Sequence, residues 1–267
     1  MPVALLRGSL RAALLIVFTA VMIPAGLLVQ TVRVAVPDGM KRLYYRVACR
    51  VAGIRVEVSG NAVRDRAVLF VANHVSYIDI PAIGTQVDVN FVAKAEVAGW
   101  PVFGLLAKLA GTVFVSRDRR QVAAQHAELE RRLAAGGALF LFPEGTSSDG
   151  RQVLPFNSSL MGIAGAGSTL VQPVTVAYLD PRADYAWYAD MTLLPHLGRI
   201  LGLPGVTLRL LFHPPVDGAG FALRKELARQ TQAVVADGLQ QVVEQLPPLP
   251  ADAASAGTAV AADLGGG

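Results

Sequence analysis

A run of 21 residues without a charged side chain, residues 12–32, constrains most strongly what this chain can fold into. The run is long enough to cross a bilayer as a helix, and basic residues flank it on both sides. Pro24 and Gly26 in its middle would also allow a kinked or re-entrant segment, so spanning and dipping both fit the sequence. A cleaved signal peptide begins in the same way, but no small-x-small cleavage site closes the run. The sequence therefore predicts a membrane anchor within residues 1–37.

Positive charge is concentrated beside this anchor. The whole chain has a formal net charge of +4, whereas residues 1–50 alone have seven Lys or Arg residues and one Asp, a net charge of +6. A basic end next to an apolar anchor favours an anionic membrane surface as a partner and does not favour nucleic acid. Because five of the seven basic residues follow the apolar run, the positive-inside rule predicts the cytoplasmic face of the inner (plasma) membrane for the rest of the chain.

Residues 38–53, DGMKRLYYRVACRVAG, carry the clearest helix pattern, with an acidic N-cap and a glycine at the end. Apolar residues repeat every four positions, and Arg42, Arg46 and Arg50 form a parallel basic row. This pattern predicts an amphipathic helix in the headgroup region. An ordinary helix packed on the domain with a solvated basic edge is the alternative. Cys49 lies in this segment. Because it is the only cysteine in the sequence, an intrachain disulfide is not possible.

Beyond residue 53, strand and helix patterns alternate, which predicts a single α/β domain over residues 54–246 with a mixed, mostly central sheet flanked by helices. Strands are predicted at residues 54–58, 68–71, 89–93, 112–115, 138–142, 170–179, with an interruption near Pro173, and 206–212. Helices are predicted at residues 78–84, 100–110, 120–135, 155–164 and 223–245. Residues 247–267 lack periodicity, and we predict that they form a disordered tail.

Residues 68–80, VLFVANHVSYIDI, join an apolar strand pattern to a group of polar side chains. Asn73 and His74 follow the strand's carboxyl end, where open α/β sheets place ligands. Ser76 and Asp79 have the spacing of a capping box, so we predict that a helix begins here. The Asp79 carboxylate could then bind one imidazole nitrogen of His74 and leave the other free as a general base. Alternatively, Asp79 only caps the helix and His74 is a core histidine.

A second apolar strand ends in a polar turn at residues 141–148, LFPEGTSS. Gly145 lets a ligand approach the backbone closely, and Glu144 and Thr146 can form hydrogen bonds with hydroxyl groups. A third strand end carries Arg117, which could pair with a phosphate or a carboxylate. The alternatives are an ordinary turn with a helix cap and a solvated charge cluster.

In combination, these segments resemble the glycerolipid acyltransferase family typified by 1-acylglycerol-3-phosphate O-acyltransferase. Four blocks occur in the family's order: the histidine and aspartate block at residues 73–79, NHVSYID; the glycine and arginine block at 111–117; the FPEG block at 142–145; and the proline block at 171–176 around Pro173. The resemblance covers residues 54–212.

The resemblance implies acyl transfer from acyl carrier protein or acyl-CoA to the free hydroxyl of a lysolipid, without a cofactor or a metal. His74 would remove the hydroxyl proton, Asp79 would orient and stabilise the imidazolium, and the oxygen would attack the thioester directly. The chain has no Gly-x-Ser-x-Gly elbow, so no acyl-enzyme serine is expected. Asn73 or N–H groups near the helix start would hold the oxyanion. The remaining substrate-binding candidates are Arg117, Glu144, Gly145, Thr146, Ser147 and Pro173.

One position departs from the family's pattern. Members that bind phosphate usually read FPEGTRS, whereas Ser147 stands at the arginine's position in this chain. The sequence FPEGTSSDG resembles the subgroup that acylates lyso-ornithine lipid, whose headgroup has no phosphate. The missing arginine would remove a bidentate, charge-assisted contact, although Arg117 could still bind a phosphate. Both 1-acyl-glycerol-3-phosphate and lyso-ornithine lipid therefore remain candidate acceptors.

Two other classes of function use the same residues. A metal-dependent membrane hydrolase would use His74 and Asp79 as ligands, but the other histidines are scattered and form no ligand pair of helical or turn spacing. An inactive membrane scaffold would not need the intact blocks. An acyltransferase fits the sequence best.

Overall fold

The computed structural model describes residues 2–32, 34–116, 118–165, 169–180, 185–221 and 223–246, so Arg117 and the predicted tail lie outside the described residues. The helices are α1 (Pro2–Thr31), α2 (Asp38–Ala52), α3 (Asp79–Gly84), α4 (Phe103–Leu109), α5 (Arg119–Ala134), α6 (Leu193–Gly202) and α7 (Arg224–Glu244). The strands are β1 (Ile54–Ser59), β2 (Val68–Ala72), β3 (Asn90–Lys94), β4 (Val113–Val115), β5 (Ala138–Leu141), β6 (Leu170–Tyr178), β7 (Val206–Phe212) and β8 (Val216–Asp217). Short 3-10 helices cover Ala95–Gly99, Met161–Gly165 and Gly218–Gly220.

The strands form one mixed sheet in the order β1-β7-β6-β2-β5-β3-β4, with β8 paired to β6. Strand β2 is central and runs parallel to both β5 and β6. Strands β7 and β8 are antiparallel to β6. The predicted mixed α/β sheet is confirmed. Since β2, β5 and β6 run in the same direction, the segments that follow all three strands emerge at one edge of the sheet.

Strand β2 is covered on both faces, as its unbroken apolar pattern predicts. All five of its residues are buried. Val68, Phe70 and Ala72 belong to one hydrophobic cluster, whereas Leu69 and Val71 belong to another, because alternate side chains point to opposite faces of a strand. Full burial of each large apolar side chain stabilises the fold by about 1.5–3 kcal/mol. The segment that leaves β2 is therefore anchored in the best-packed part of the domain.

Two expectations about local structure are wrong. Strand β6 is not interrupted near Pro173, because this residue lies where the antiparallel partner of β6 changes from β8 to β7. The helix predicted at residues 155–164 is absent, and a 3-10 helix at Met161–Gly165 takes the place of its last part. Asn157 explains the difference: its side chain accepts a hydrogen bond from the N–H of Ser159, which competes with helix formation.

Helix α6 has no counterpart among the predicted elements. Its sequence, LLPHLGRILG, contains a proline and glycines that oppose a helix. Pro195 lies in the first turn, where a missing N–H breaks no helical hydrogen bond. The glycines allow a close approach of α1: the backbone of Gly202 lies beside Gly8. Packing against α1 thus compensates for the weak helix propensity of α6.

Helix α1 is continuous through Pro24 and is not a hairpin. Near its start, the Arg11 guanidinium donates hydrogen bonds to the carbonyls of Leu201 and Leu203 at the end of α6. Gly26 is its only described buried residue. Its other side exposes large apolar side chains, among them Leu6, Leu10, Ile16, Val17, Val21 and Leu28. The helix is long and apolar enough to cross a membrane.

Helix α2 combines features of both predicted alternatives. It ends at Gly53, which adopts the left-handed conformation that favours glycine (φ 77°). Cys49 is buried, and the side chain of Tyr45 packs against Gly84 of α3, so the helix is packed on the domain. Arg46 and Arg50 are exposed, so a basic edge faces outward.

Candidate active site

His74 and Asp79 lie together at the carboxyl end of β2, as the sequence predicts. The Nδ1 atom of His74 is 2.8 Å from Oδ2 of Asp79. The aspartate side chain is fully buried, whereas that of His74 is 18% exposed. The ring of Phe142 stacks on the imidazole at 4.0 Å and restricts its rotation. Within the described chain Nε2 of His74 has no hydrogen-bond partner, so it is the nitrogen available for proton transfer.

Four donors surround the Asp79 carboxylate. Besides His74, the N–H groups of Val75 and Ser76 donate to Oδ2, at 2.8 and 3.0 Å. The hydroxyl of Tyr178, at the end of β6, donates to Oδ1 at 2.7 Å. Hydrogen bonds to the charged form stabilise a buried carboxylate as an anion. The carboxylate can therefore hold the imidazole in one tautomer and stabilise it when it is protonated.

Sequence reasoning did not find Tyr178. Nothing near it in sequence marks it as functional, and its contact with Asp79 spans 99 positions. Its place at the end of a predicted central strand is the only signal that could have identified it. Burial raises the pKa of Tyr178 well above its usual range, and the nearby Asp79 carboxylate adds to this effect. The hydroxyl thus remains a donor.

Half of the predicted capping box at Ser76 is present, and a helix does begin here. The N–H of Ser76 donates to Oδ2 of Asp79, as the box requires. The other half is missing, because the Oγ atom of Ser76 is buried and has no hydrogen-bond partner among the described residues. Helix α3 starts at Asp79, and Ile78 occupies its N-cap position without a side-chain cap.

Asn73 has a structural position. It is fully buried, its amide nitrogen donates to the carbonyl of Val176 at 2.9 Å, and its amide oxygen accepts from the N–H of Val176 at 2.8 Å. These bonds extend the pairing of β2 with β6 by one residue. The side chain is therefore not free to hold an oxyanion, and its predicted role in substrate binding is not supported by this geometry.

The turn after β5 meets the turn after β2, as the order of the strands requires. The N–H of His74 donates to Oε2 of Glu144 at 3.1 Å. In the opposite direction, the N–H of Ser148 donates to the carbonyl of His74 at 2.8 Å. The other oxygen of Glu144, Oε1, accepts a hydrogen bond from the N–H of Leu154 at 2.9 Å. These bonds fix the backbone of His74 against residues 142–148.

Glu144 is an unusual carboxyl group. Burial raises its pKa to about 7, and the nearby Asp79 charge adds to this shift, while the N–H bonds from His74 and Leu154 oppose it. Both of its oxygens accept backbone hydrogen bonds. The geometry thus gives Glu144 a bracing function, and direct binding of a substrate hydroxyl stays a prediction.

The outer part of the second turn faces solvent. Gly145 and Thr146 are exposed, and Gly145 has a positive φ of 68°, which favours glycine. Ser147 donates a hydrogen bond to the carbonyl of Trp187, whose N–H donates to the carbonyl of Val75 at 2.9 Å. The segment around Trp187 thus contacts both turns. The predicted binding roles of Gly145, Thr146 and Ser147 stay predictions.

Aromatic side chains flank this segment. The ring of Trp187 makes edge contacts with Tyr77 and Trp100, with ring centroids 5.8 and 5.7 Å apart. The hydroxyl of Tyr77 lies 3.0 Å from Nδ1 of His196 in α6. Aromatic rings with polar atoms are well suited to a boundary between an apolar phase and water.

Pro173 and Arg117 are the two remaining predicted residues. Pro173 is buried in β6 beside Val71 of β2, and its carbonyl accepts a bond from the N–H of His213 at 3.0 Å. Arg117 is outside the described residues, so its role as a phosphate or carboxylate partner stays a prediction. In the described part of the chain, no three His, Cys, Asp or Glu side chains are grouped so that they could hold a metal ion.

Comparison with known proteins agrees with this geometry. Residues 53–177 match the family model described as Acyltransferase. The chain is 39% identical over 205 residues to a lyso-ornithine lipid O-acyltransferase of Rhodobacter capsulatus, which covers 73% of this chain and 74% of that protein. The chain belongs to the acyltransferase family. A second lyso-ornithine lipid O-acyltransferase, from Rhizobium meliloti, is 37% identical over 84% of this chain and 82% of that protein.

Relatives of this acyltransferase also include proteins named for a phosphate-bearing acceptor. A 1-acyl-sn-glycerol-3-phosphate acyltransferase of Neisseria meningitidis is 35% identical over 64% of this chain and 70% of that protein. The crystal structure of the 1-acyl-sn-glycerophosphate acyltransferase of Thermotoga maritima superposes with a TM-score of 0.65 at 25% identity and covers 91% of this chain and 99% of that one. The family resemblance inferred from four blocks is thus confirmed.

Proposed function

We propose that this acyltransferase moves a fatty acyl group from a thioester donor to the free hydroxyl of a lysolipid. The observation that carries this proposal is the bond between His74 and a fully buried Asp79, while Nε2 of the histidine has no hydrogen-bond partner in the described part of the chain. The names of the relatives support a lysolipid as the acceptor. A histidine held in this way is suited to remove a proton from a hydroxyl group.

In the proposed reaction, Nε2 of His74 takes the proton of the acceptor hydroxyl. The oxygen then attacks the thioester carbonyl and forms a tetrahedral intermediate. As the carbon–sulfur bond breaks, the imidazolium returns the proton to the departing thiolate, so the products are an ester and a free thiol. Asp79 stabilises the imidazolium throughout. A positioned base of this kind contributes roughly 100- to 10,000-fold in rate.

The oxyanion of that intermediate needs donors outside the loop that follows β2. The N–H of His74 donates to Glu144, and those of Val75 and Ser76 donate to Asp79. The N–H of Gly145 is also occupied, because it donates to the carbonyl of Phe142 at 3.1 Å. The N–H of Thr146, in the exposed turn that follows Glu144, has no partner among the described residues, and we assign oxyanion binding to it.

Lyso-ornithine lipid is the acceptor that the site favours. The hydroxyl of Ser147 occupies the position of the family's phosphate-binding arginine and binds the carbonyl of Trp187, so no cation is supplied at this point. Relatives named for lyso-ornithine lipid match at 37–39% identity over 73–84% of the chain. The second candidate, 1-acyl-glycerol-3-phosphate, is supported by the Neisseria and Thermotoga proteins.

The acyl donor is acyl carrier protein or acyl-CoA, because both present the thioester that the reaction consumes. Neither donor requires a further cofactor. The two can be distinguished by supplying the same fatty acyl chain on either carrier to the purified protein. A turnover that is at least tenfold faster with one carrier would assign the donor.

We further propose that α1 lies within one leaflet at the cytoplasmic face and does not cross the bilayer. Gly8 lies beside Gly202 of α6, the ring of Phe18 stacks on Tyr44 of α2 at 5.7 Å, and Gly26 is buried against Leu109 of α4. These contacts extend over 18 residues, which correspond to ~27 Å of helix. If α1 stood perpendicular to the membrane plane, the parts of the domain that contact it along its length would lie in the hydrocarbon core of the bilayer.

The arginines beside α1 fit an anionic membrane surface. Arg11, Arg46, Arg50 and Arg55 line a groove of about 1010 Å³ between α2 and the edge formed by β1 and β7, and no acidic residue lines it. Each arginine near anionic headgroups contributes about 1 kcal/mol to membrane binding. The double variant Arg46→Gln/Arg50→Gln should bind vesicles with anionic lipid at least tenfold more weakly. Arg224→Gln/Arg229→Gln on α7 removes the same charge elsewhere, and an equal loss there would refute the assignment.

The proposed function is tested by an acceptor panel. Purified full-length protein in lipid is supplied with an acyl thioester and, separately, with lyso-ornithine lipid and 1-acyl-glycerol-3-phosphate, and the products are measured by mass spectrometry. We expect diacylated product from at least one lysolipid, with faster turnover of lyso-ornithine lipid. Hydrolysis of the thioester without acyl transfer to any lysolipid would refute the function.

A further inference from the structure

We propose that Tyr178 is a positioning residue of the His74 and Asp79 pair, which holds the aspartate in its orientation through its second oxygen. This inference rests on the proposed function, since it assigns a role within the same reaction. The hydroxyl of Tyr178 donates to Oδ1 of Asp79 at 2.7 Å, on the opposite oxygen from the one that binds His74.

The two carboxylate oxygens of Asp79 accept different numbers of hydrogen bonds. Oδ2 accepts three hydrogen bonds, from His74, Val75 and Ser76. Tyr178 is the one donor to Oδ1 in the described part of the chain. Because the carboxylate is fully buried, water cannot replace that donor. Loss of the hydroxyl would leave Oδ1 buried without its donor, so the carboxylate would lose the contact that fixes its orientation.

Packing holds the hydroxyl in place. The ring of Tyr178 stacks on that of Tyr185 at 5.2 Å with an angle of 15° between the planes. Tyr185 is itself buried, and two residues later Trp187 is bonded to the loop that carries His74. The orientation of the phenol is thus fixed by contacts independent of Asp79. Such a fixed donor can determine the rotamer of the carboxylate and, through it, the direction of the imidazole.

Several titratable groups face this pair. His74 binds Asp79 directly. Burial raises the pKa of Glu144 in the second turn, and the nearby Asp79 charge adds to this shift. Tyr77, before α3, and Cys49, of α2, are the other titratable groups that interact with Tyr178. Replacement of Tyr178 by phenylalanine leaves these side chains in place and removes only the hydroxyl that is bonded to Oδ1 of Asp79.

The variant Tyr178→Phe tests the inference, because it removes the hydroxyl and keeps the ring stack. We expect kcat to fall about 10- to 100-fold while KM for the acceptor stays within about twofold. Wild-type kcat in Tyr178→Phe would overturn the inference.

Two matched measurements separate positioning from general damage. Tyr45→Phe removes the hydroxyl of another tyrosine, whose ring contacts α3 and which is not bonded to Asp79, and it should leave kcat unchanged. In a double-mutant cycle, Tyr178→Phe should cost at most about twofold when Asp79→Asn is already present. Independent, multiplicative losses would refute the positioning role even if the single variant were poorly folded. If the wild type transfers no acyl group to a lysolipid, the proposed function fails first.

Discussion

The turns that follow β2 and β5 contribute to the same site, but the first is mostly buried and the second is partly exposed to solvent. In the first, residues 73–79, the side chains of Asn73 and Asp79 are fully buried, and consecutive N–H groups are bonded within the protein. In the second, residues 142–148, Gly145 and Thr146 are exposed. The first turn therefore holds His74 in a fixed geometry, whereas the second turn, which braces His74 through Glu144, is the one that we propose meets the substrate.

The carboxyl groups of the two turns show the same contrast. Asp79 is fully buried but has four donors, which compensate for the loss of water around its charge. Glu144 has two donors, and burial raises its pKa to about 7. A carboxylate must remain charged to stabilise an imidazolium, and only the first environment is built for that task. Substitution of each carboxyl group can therefore test the division of roles.

Asp79→Asn should have the largest effect among the variants that test this contrast. The amide cannot accept from His74 and satisfy the other donors as the carboxylate does, and it carries no charge to stabilise the imidazolium. We expect kcat to fall roughly 100- to 10,000-fold. Steady-state assays of Asp79→Asn and Glu144→Gln in parallel provide the check. Equal losses of kcat in the two variants would contradict the division between a catalytic and a bracing carboxyl group.

Glu144→Gln should chiefly change stability. In the folded protein, Glu144 holds its proton up to a pH of about 7, whereas the unfolded chain releases it near the ordinary value of 4.5. The folded state binds more protons between these values, so the wild-type free energy of unfolding falls as pH rises through this window. Relative to the Gln variant, which does not titrate, the decline should be up to about 3 kcal/mol. Thermal unfolding at pH 4 and pH 8 measures it, and a difference that does not vary with pH would contradict the shift.

Ser147→Arg should have the smallest effect on the overall rate. Its effect should be on the choice between the two acceptors. A guanidinium at this position can bind a phosphate through two hydrogen bonds, so we expect the use of 1-acyl-glycerol-3-phosphate relative to lyso-ornithine lipid to rise about tenfold. Ser147→Ala is the matched control, because it removes the bond to the Trp187 carbonyl without adding charge. Competition between the two acceptors gives the ratio. An unchanged ratio in Ser147→Arg would remove acceptor choice from this turn.

The parts of the molecule that sequence predicted depend on local patterns. The unbroken apolar run of β2 predicted a strand covered on both faces, and the polar residues after it predicted where the site lies. The close approach of His74 and Asp79 followed from their spacing, because the strand end and the helix start confine both residues to one short loop.

The parts that sequence missed depend on contacts between distant segments. The amide of Asn73 binds Val176, and the carboxylate of Asp79 is completed by Tyr178, both about 100 residues away. Helix α6 contains helix-breaking residues and is compensated by its packing on α1. The role of the Ser76 side chain as a cap was misassigned, because helix α3 begins only at Asp79 and Ile78 occupies its N-cap position. Local propensity cannot contain this information.

The central claim is that His74 is the base that activates the acceptor hydroxyl. The most direct test compares purified full-length wild type and His74→Ala for acyl transfer to lyso-ornithine lipid, with His126→Ala on α5 as a control. We expect His74→Ala to lose at least roughly 100-fold in kcat, with unchanged thermal stability and membrane binding, while His126→Ala turns over like the wild type. Equal turnover of His74→Ala and wild type would contradict the claim.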